Sequence, residues 1–429
     1  MIIVDTALER RHQDGNPIRI GMVGAGYMGQ GMAAVIERNV IGMQVVAIAN
    51  RTVETAERVF ADAGIEDSVR VSDQETLDRV LARGGRAVTS DPLLLCRAAE
   101  IEAIIECTGE VEHGARTVTE AITNRKHVML MNAELDATVG PILKVLADRA
   151  GVVVTNADGD EPSVAMNMFR FVKSIGYRPV LAGNVKGFLD HHRNPDTQKG
   201  FADAHGQRPF MVTSFADGTK LSLEATTLAN ATGFKVTKPG MEGRRLAHVR
   251  DLLGYYDPKE LLHQGVVDYV LGAEPGSGAF VIGYNDDPQL MPYMSYFKMG
   301  DGPLYMFYRP FHLTHLEAPL SVARAVLFGD ASIASAGPPV CEVATIAKRD
   351  MEAGEELDGI GGFDCYGLID NVENTRQDGA LPIGLAAGAH LIRPVAKDQP
   401  IRYADVILPT GRLIDELRAQ QAAHFGLGL

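Results

Sequence analysis

Apolar and polar positions alternate in different rhythms along the chain. From Ile18 to about Thr155, short apolar runs are separated by longer amphipathic stretches. The runs Ile18–Val23, Gln44–Ala49, Ile101–Cys107, His127–Met131 and Val152–Thr155 read as buried strands. Between them, helices are predicted from the glycines after Val23 to about Glu37, over Val53–Ala63 with Thr52 as its cap, over Glu112–Asn124 and over Pro141–Ala150. Strands that alternate with helices of this length predict a parallel, doubly wound sheet. Residues 66–88 read as an insertion into this pattern, with a helix over Asp73–Ala82. Residues 1–17 read as a short charged helix ending at Gly15-Asn16-Pro17, and the apolar run Met1-Ile2-Ile3-Val4 is too short for a signal peptide.

After Asp160 the rhythm breaks. A helix over 161–176 begins at Pro162, and β-like runs, among them Val180–Gly183, then mix with long polar loops over 189–210, 236–262 and 271–303. A helix over Ala318–Phe328 returns to the first domain, and Ser335–Pro339 reads as a linker. The tail repeats a weak motif: Val343–Asp350, a turn and Ala353–Leu357, echoed by Val395–Ile401, before a helix over Arg412–His424. The expected fold class is α/β. It comprises a Rossmann domain (1–160), an α+β middle domain for substrate and catalysis (161–336) and a small C-terminal β domain (337–429).

Composition narrows the partners. The net charge of −14 over 429 residues repels nucleic acid and anionic membranes, and no run reaches the ~18 apolar residues of a membrane span. Cys96, Cys107, Cys341 and Cys365 form no CxxC pair, which points to reduced thiols in a cytoplasmic protein and away from zinc ribbons.

Gly24-Ala25-Gly26-Tyr27-Met28-Gly29 is G-x-G-x-x-G between a strand and a helix, the setting that makes it a dinucleotide fingerprint. Gly24 serves the tight turn, Gly26 the approach of a pyrophosphate and Gly29 the packing of helix on sheet. The second strand ends in Asn50-Arg51-Thr52, where an NAD enzyme carries Asp or Glu. Arg51 can pair with a 2′-phosphate and Thr52 can donate to it, so NADP(H) is the expected cofactor. Cys107-Thr108-Gly109 and Asn132-Ala133-Glu134 close later strands, where ligands of open α/β sheets lie. Hence Cys107, Thr108, Gly109 and Asn132 are assigned to the cofactor and Glu134 to the catalytic set.

Hydride transfer to a carbonyl needs an acid for the developing alkoxide. Lys186, just past the strand Val180–Gly183, is the first choice, and Lys173, on a helix, the second. Asp160 and Glu161 sit at the handover between domains and could bind a substrate hydroxyl, orient a lysine, hold a metal or cap the helix that starts at Pro162. Arg309 could grip a carboxylate or phosphate. On a strand, His312 and His315 would face opposite sides, so no metal site is assigned and a divalent metal lacks support from spacing. His191, in Asp190-His191-His192-Arg193, is a candidate for the substrate cleft.

The first ~160 residues resemble homoserine dehydrogenases and the glucose–fructose oxidoreductase-like Rossmann enzymes. A closer similarity is to deoxyxylulose-phosphate reductoisomerase-like enzymes, which join a homoserine-dehydrogenase-like body to a C-terminal SAF-type (β-clip) domain. It is carried by Gly159-Asp160-Glu161-Pro162, Gly183-Asn184-Val185-Lys186, Tyr308–Leu313, Glu317–Ser321 and the tail from Ala347 through Gly361-Gly362. The resemblance implies an NADP-dependent oxidoreductase for a small polar, anionic hydroxy or carbonyl substrate. One alternative is a reductoisomerase of isoprenoid biosynthesis; another is a non-catalytic NADP-binding sensor or scaffold. The tail could also be a lid over the substrate through Gly359–Phe363. By analogy with similar enzymes, a homodimer or homotetramer is expected.

Overall fold

The computed structural model describes residues 3–427; Met1 and Ile2 of the N-terminal apolar run lie outside them. The chain forms two compact units. The first comprises Met1–Asp160, Leu313–Ala334 and Glu416–His424, and the second Glu161–His312, Ser335–Asp415 and Phe425–Leu429.

In the first unit the elements run α1 (Val4–Gln13), β1 (Ile18–Val23), α2 (Tyr27–Asn39), β2 (Met43–Ala49), α3 (Val53–Asp62), β3 (Ser68–Arg70), α4 (Gln74–Ala82), β4 (Arg86–Thr89), α5 (Pro92–Arg97), β5 (Ala103–Glu106), α6 (Val111–Thr123), β6 (His127–Leu130), α7 (Ala133–Ala150) and β7 (Val154–Asn156). The seven strands form one parallel sheet in the order β3-β4-β2-β1-β5-β6-β7. β1 is the strand from which the order runs outward both ways, and it pairs with β5 so that Val23 lies opposite Glu106. The two strand ends therefore open side by side at the switch point, where ligands of such sheets bind.

Two expectations are corrected here. Residues 66–88 are not a bare insertion: β3 and β4 flank α4, whose N-cap Asp73 accepts from the Thr76 N–H, and both strands extend the sheet beyond β2. The strands are short and partly polar because they lie toward an edge. The helix expected from Pro141 begins at Ala133 instead, capped by Asn132, and Pro141 sits inside it.

The second unit runs α8 (Glu161–Ser174), β8 (Arg178–Lys186), α9 (Pro195–Ala204), α10 (Pro209–Ala216), α11 (Thr219–Thr232), β9 (Arg244–Arg245), α12 (Pro258–His263), β10 (Val266–Leu271), β11 (Ala279–Tyr284), α13 (Met291–Tyr296) and β12 (Leu304–Arg309). Its mixed sheet has the order β12-β11-β8-β10-β9, with β8 central, parallel to β10 and antiparallel to β11. At Gly183 of β8 a Cβ would lie 1.6 Å from the Asp268 carbonyl oxygen, so only glycine lets the two strands run this close.

The segments 189–210 and 236–262, expected as loops, carry helices α9 and α12, and the region between them carries α10 and α11. α11 is buried from Thr219 to Ala231. Its Ser, Thr and Ala side chains are small enough to be packed on all sides, and that mixed composition conceals a buried helix from a search for an apolar stripe. Past β12 the chain leaves its extended path, so the run from Arg309 to Glu317 is not a strand. α14 (Thr314–Phe328) starts there and packs in the first unit against α2.

The tail contributes β13 (Cys341–Ala347) and β14 (Cys365–Asn371), a fully registered antiparallel pair. The two echoed motifs bridge each other, Met351 with Val395 and Ile346 with Pro400. Within the second unit the tail joins the middle segment closely: β14 packs on α11, and the Asn371 amide brackets the Val236 backbone.

Candidate functional site

The first unit presents a phosphate cradle. Gly24, at φ +108, occupies a backbone region that L side chains rarely adopt, and a Cβ on it would lie 2.9 Å from the Cys107 carbonyl oxygen. A Cβ on Gly29 would lie 2.5 Å from the Gly24 carbonyl oxygen. A Cβ on Gly26 would meet nothing within 4 Å, and this residue is the N-cap of α2 without any side-chain cap. The start of the helix thus offers unpaired N–H groups to open space, as a pyrophosphate requires. The residues fit a bound dinucleotide. Tyr27 is exposed, and Met28 packs against the core beneath.

The Asn50 carboxamide ties the cradle to β2, accepting from the Ala25 N–H at 3.2 Å and donating to the Thr52 carbonyl at 2.8 Å. Arg51 is exposed and makes no hydrogen bond or ion pair among the described residues. Thr52 stands at the N-cap position of α3, but its hydroxyl makes no capping bond. The basic and hydroxyl groups beside the cradle are therefore uncommitted.

Across the switch point lies a feature that sequence reading missed. Glu106, the last residue of β5, is fully buried. It accepts hydrogen bonds from the Thr108 N–H at 3.0 Å, from the Thr108 hydroxyl and from the Asn132 amide at 2.8 Å. Burial pushes its carboxyl up to about 7, against the pull of the Thr108 and Asn132 donors, and the charge of Glu134 adds to the rise. Thr108, Asn132 and Glu134, singled out from the sequence, thus gather around Glu106, while Gly109 takes a positive φ in the same turn. The Cys107 thiol donates to the Val23 and Gly24 carbonyls, both at 3.2 Å, and holds the two strand ends together. The available clue was a lone acidic residue ending an otherwise apolar strand.

The second unit holds a denser cluster. Glu161 opens α8, and its buried side chain turns toward β8. There the Asn184 amide donates to its Oε2 at 2.5 Å and the Lys186 ammonium donates to the same oxygen. Lys186 also lies 3.5 Å from Oε2 of Glu224, on α11, and His312 Nε2 lies 3.5 Å from Oε1 of Glu161. Lys220, one helical turn before Glu224, is buried and adds a second positive charge. Glu161, Asn184 and Glu224 face a small cavity whose other wall includes Ala225, Leu228 and Val267.

The two carboxyls titrate apart. Burial, with help from the neighbouring Glu224, raises Glu161 to about 8 despite Lys186. Burial also acts on Glu224, but Lys186, Lys220 and a hydrogen bond from Glu161 outweigh it and hold that carboxylate below its ordinary range. The two carboxyls are thus pushed in opposite directions, Glu161 up and Glu224 down, beside Lys186 and Lys220. A pair pushed apart in this way supplies an acid and a base within one site.

Of the residues chosen from the sequence, Lys186, Glu161 and His312 come together here. Lys220 and Glu224 were missed because α11 was not recognised. Glu161 is drawn to Lys186 and Asn184, the lysine-orienting option among those left open. Asp160 ends the first unit and donates its N–H to the Ala157 carbonyl at 3.3 Å. Glu134 belongs to the first unit. Arg309 lies over the Phe311 ring at 4.3 Å. His191 is held elsewhere, stacked on Tyr366 at 4.6 Å with Nδ1 2.7 Å from the Asp217 carbonyl oxygen. Lys173 is exposed on the last turn of α8. Among the described residues, no three His, Cys, Asp or Glu side chains form a group that could hold a metal ion, and no helix is long and apolar enough to cross a membrane.

The parallel sheet and its glycine cradle define a Rossmann-fold unit, and two stretches of the chain match oxidoreductase family models. Residues 18–131 match the oxidoreductase family, NAD-binding Rossmann fold, and residues 159–318 match the oxidoreductase DRL catalytic domain. The second match contains the whole Glu161–Lys186–Glu224–His312 cluster. A homoserine dehydrogenase of Neisseria gonorrhoeae is 28% identical over 141 residues, covering 32% of this chain and 28% of that one. An inositol 2-dehydrogenase of Saccharopolyspora erythraea is 42% identical over 85 residues, covering 18% and 24%. The chain thus spans less than a third of the length of either curated relative. A homoserine dehydrogenase of Thiobacillus denitrificans aligns in structure with a TM-score of 0.44 at 16% identity, covering 90% of this chain and 98% of that one.

Proposed function

We propose that the protein is an NADP-dependent dehydrogenase or reductase acting on a small polar, anionic hydroxy or carbonyl compound. The observation that carries this reading is Lys186, held by the buried carboxyls of Glu161 and Glu224 in a cluster that also contains Lys220 and His312. The nicotinamide supplies or takes up hydride when bound. Gly24, Gly26 and Gly29 would hold its pyrophosphate, and Arg51 and Thr52 a 2′-phosphate. For NADP over NAD speaks the absence of a carboxylate at Asn50, where one would repel the phosphate. Lys186 holds the proton that neutralises an oxyanion on the substrate. Glu161, whose burial favours its protonated form, restores that proton, and Glu224 keeps the lysine charged. Lys186, Lys220 and His312, the last 3.5 Å from Glu161 Oε1, gather basic groups that favour a carboxylate or phosphate on the substrate.

A second reading, reductoisomerase activity of the deoxyxylulose-phosphate type, rests on the resemblance carried by Gly159–Pro162, Gly183–Lys186 and Tyr308–Leu313. It would call for a divalent cation. Glu161 and Glu224 are occupied by Lys186 and form no cation-holding group, so no step is derived through a metal. Assembly as a homodimer or homotetramer is part of the proposal, and sedimentation velocity checks it.

The test is a spectrophotometric screen of hydroxy and oxo acids and sugar phosphates with NADPH and NADH, with and without magnesium. Turnover with NADPH on an anionic carbonyl compound, lost in Lys186→Met, supports the main reading; turnover only with magnesium supports the second. Tight NADPH binding with no turnover on any compound favours a sensor.

A further inference from the structure

The two lysines of the buried cluster are each approached by a segment that leans on the C-terminal tail. α10 ends at Ala216, and a tight turn over Asp217 and Gly218 leads into α11, where Lys220 is the second residue. Gly218, at φ +86, makes that turn, and a Cβ there would lie 2.5 Å from the Leu189 side chain. The turn is pinned from several directions. Asp217 is fully buried, and its Oδ1 accepts from the Thr219 N–H at 2.8 Å. Its Oδ2 lies 2.8 Å from the ammonium of Lys348, whose side chain is 3% exposed. That ammonium also donates to the Gly362 carbonyl at 2.6 Å. One step along, the Thr219 hydroxyl accepts from the Gly367 N–H of β14 at 2.8 Å. The chain that follows Lys186 is held by the same part of the tail: His191 stacks on Tyr366, and His192 Nε2 lies 2.8 Å from Asp398.

A buried ion pair of this kind costs desolvation on both partners and is a weak source of net stability. Its geometric effect is specific. Removing Lys348 leaves the buried Asp217 carboxyl without its cation, and the turn loses the restraint that ties it to the Lys348 segment. Resting on the reading that the Glu161–Lys186–Glu224–Lys220 cluster is the reacting centre, we infer that Lys348 is a positioning residue. From the tail, it fixes through Asp217 the start of α11 and thereby the placement of Lys220 and Glu224. The tail is then a working part of the site, neither an independent binding module nor a cover over it.

The test uses the full chain and compares wild type, Lys348→Met, Asp217→Asn and the double variant. Three readouts are followed: amide exchange by mass spectrometry, the pH-dependent rate of acetylation of Lys186 and Lys220 by acetic anhydride, and the pH profile of kcat. In Lys348→Met, exchange over residues 213–224 is expected to accelerate tenfold or more. Lys220 should label faster by a similar factor with a displaced pH midpoint, and the kcat profile should move with it. Exchange over residues 18–49 should not change. The double variant should be no worse than either single one, since the two groups act as a pair. Wild-type exchange and labelling of α11 in a soluble Lys348→Met would overturn the inference, as would an unmoved kcat profile. If Lys348→Met does not fold, Asp217→Asn, which preserves shape and the Thr219 acceptor, is judged by the same outcomes. A wild type without turnover refutes the proposed function, while exchange and labelling still decide the role of Lys348.

Discussion

Each unit buries a glutamate, Glu106 in the first and Glu161 in the second, and the two carboxyls keep different company. Glu106 accepts hydrogen bonds from neutral donors, the Thr108 N–H and hydroxyl and the Asn132 amide, with the charge of Glu134 nearby. Glu161 meets an ammonium, an amide, an imidazole and a second carboxylate. Burial raises both, Glu106 to about 7 and Glu161 to about 8. In the first case the hydrogen-bonded groups are neutral, and the carboxyl ties together the turn that carries Thr108 and Asn132. In the second, Glu224 and Lys186 lie within hydrogen-bonding reach, so the proton has a route. A raised carboxyl is therefore no sufficient mark of acid–base chemistry; a directly hydrogen-bonded ammonium distinguishes Glu161 from Glu106.

The sharpest way to break this contrast is to remove the exchange partner. Lys186→Met should lower kcat by about 10²–10⁴-fold, the range for loss of a positioned acid, with NADPH affinity unchanged in a fluorescence titration. An equal loss of NADPH affinity would place Lys186 in cofactor binding and dissolve the contrast. Glu161→Gln should next reshape the pH profile. The wild-type carboxyl is raised to about 8 and protonated below it, so kcat for carbonyl reduction falls as pH rises through about 8. The variant should lose that limb.

Glu106→Gln should act on stability instead. The folded-state value near 7 lies above the ordinary 4.5, so its stabilising contribution is present below about pH 4.5 and is lost as pH rises through about 7. Urea unfolding should show wild type losing on the order of 3 kcal/mol relative to the variant between those limits, since each tenfold difference in proton affinity between the folded and unfolded chain is worth about 1.4 kcal/mol. Identical pH dependence in both proteins would mean that Glu106 stays ionised. The smallest effect is expected at the cradle: Arg51→Ala should weaken NADPH binding about tenfold, as loss of one charge-assisted contact implies, and leave NADH binding unchanged in calorimetry.

Legibility in the sequence followed the range of the interactions. The G-x-G-x-x-G turn, Asn50-Arg51-Thr52 and the strand ends at Cys107 and Asn132 were readable because each depends on residues a few positions away. Lys186 and Glu161 were found because a strand end and a domain handover mark the places where ligands gather. Lys220 and Glu224 were not, since α11 is buried on every side and carries no apolar stripe. Glu106 was passed over within an apolar run that reads as core. The strands at 68–70 and 86–89 were missed because edge pairing, and no periodicity of their own, makes them strands.

By itself, then, the sequence determined the parallel α/β unit, its glycine cradle and the lack of a carboxylate at Asn50, all of which rest on local sterics and the period of buried positions. Only the tertiary structure decided which ionisable groups meet. Bringing Glu161, Lys186, Glu224 and Lys220 together, and setting Lys348 from the tail against Asp217, joins positions far apart in the chain. The burial that shifts their protons exists only once α8, β8, α11 and the tail have packed and excluded water.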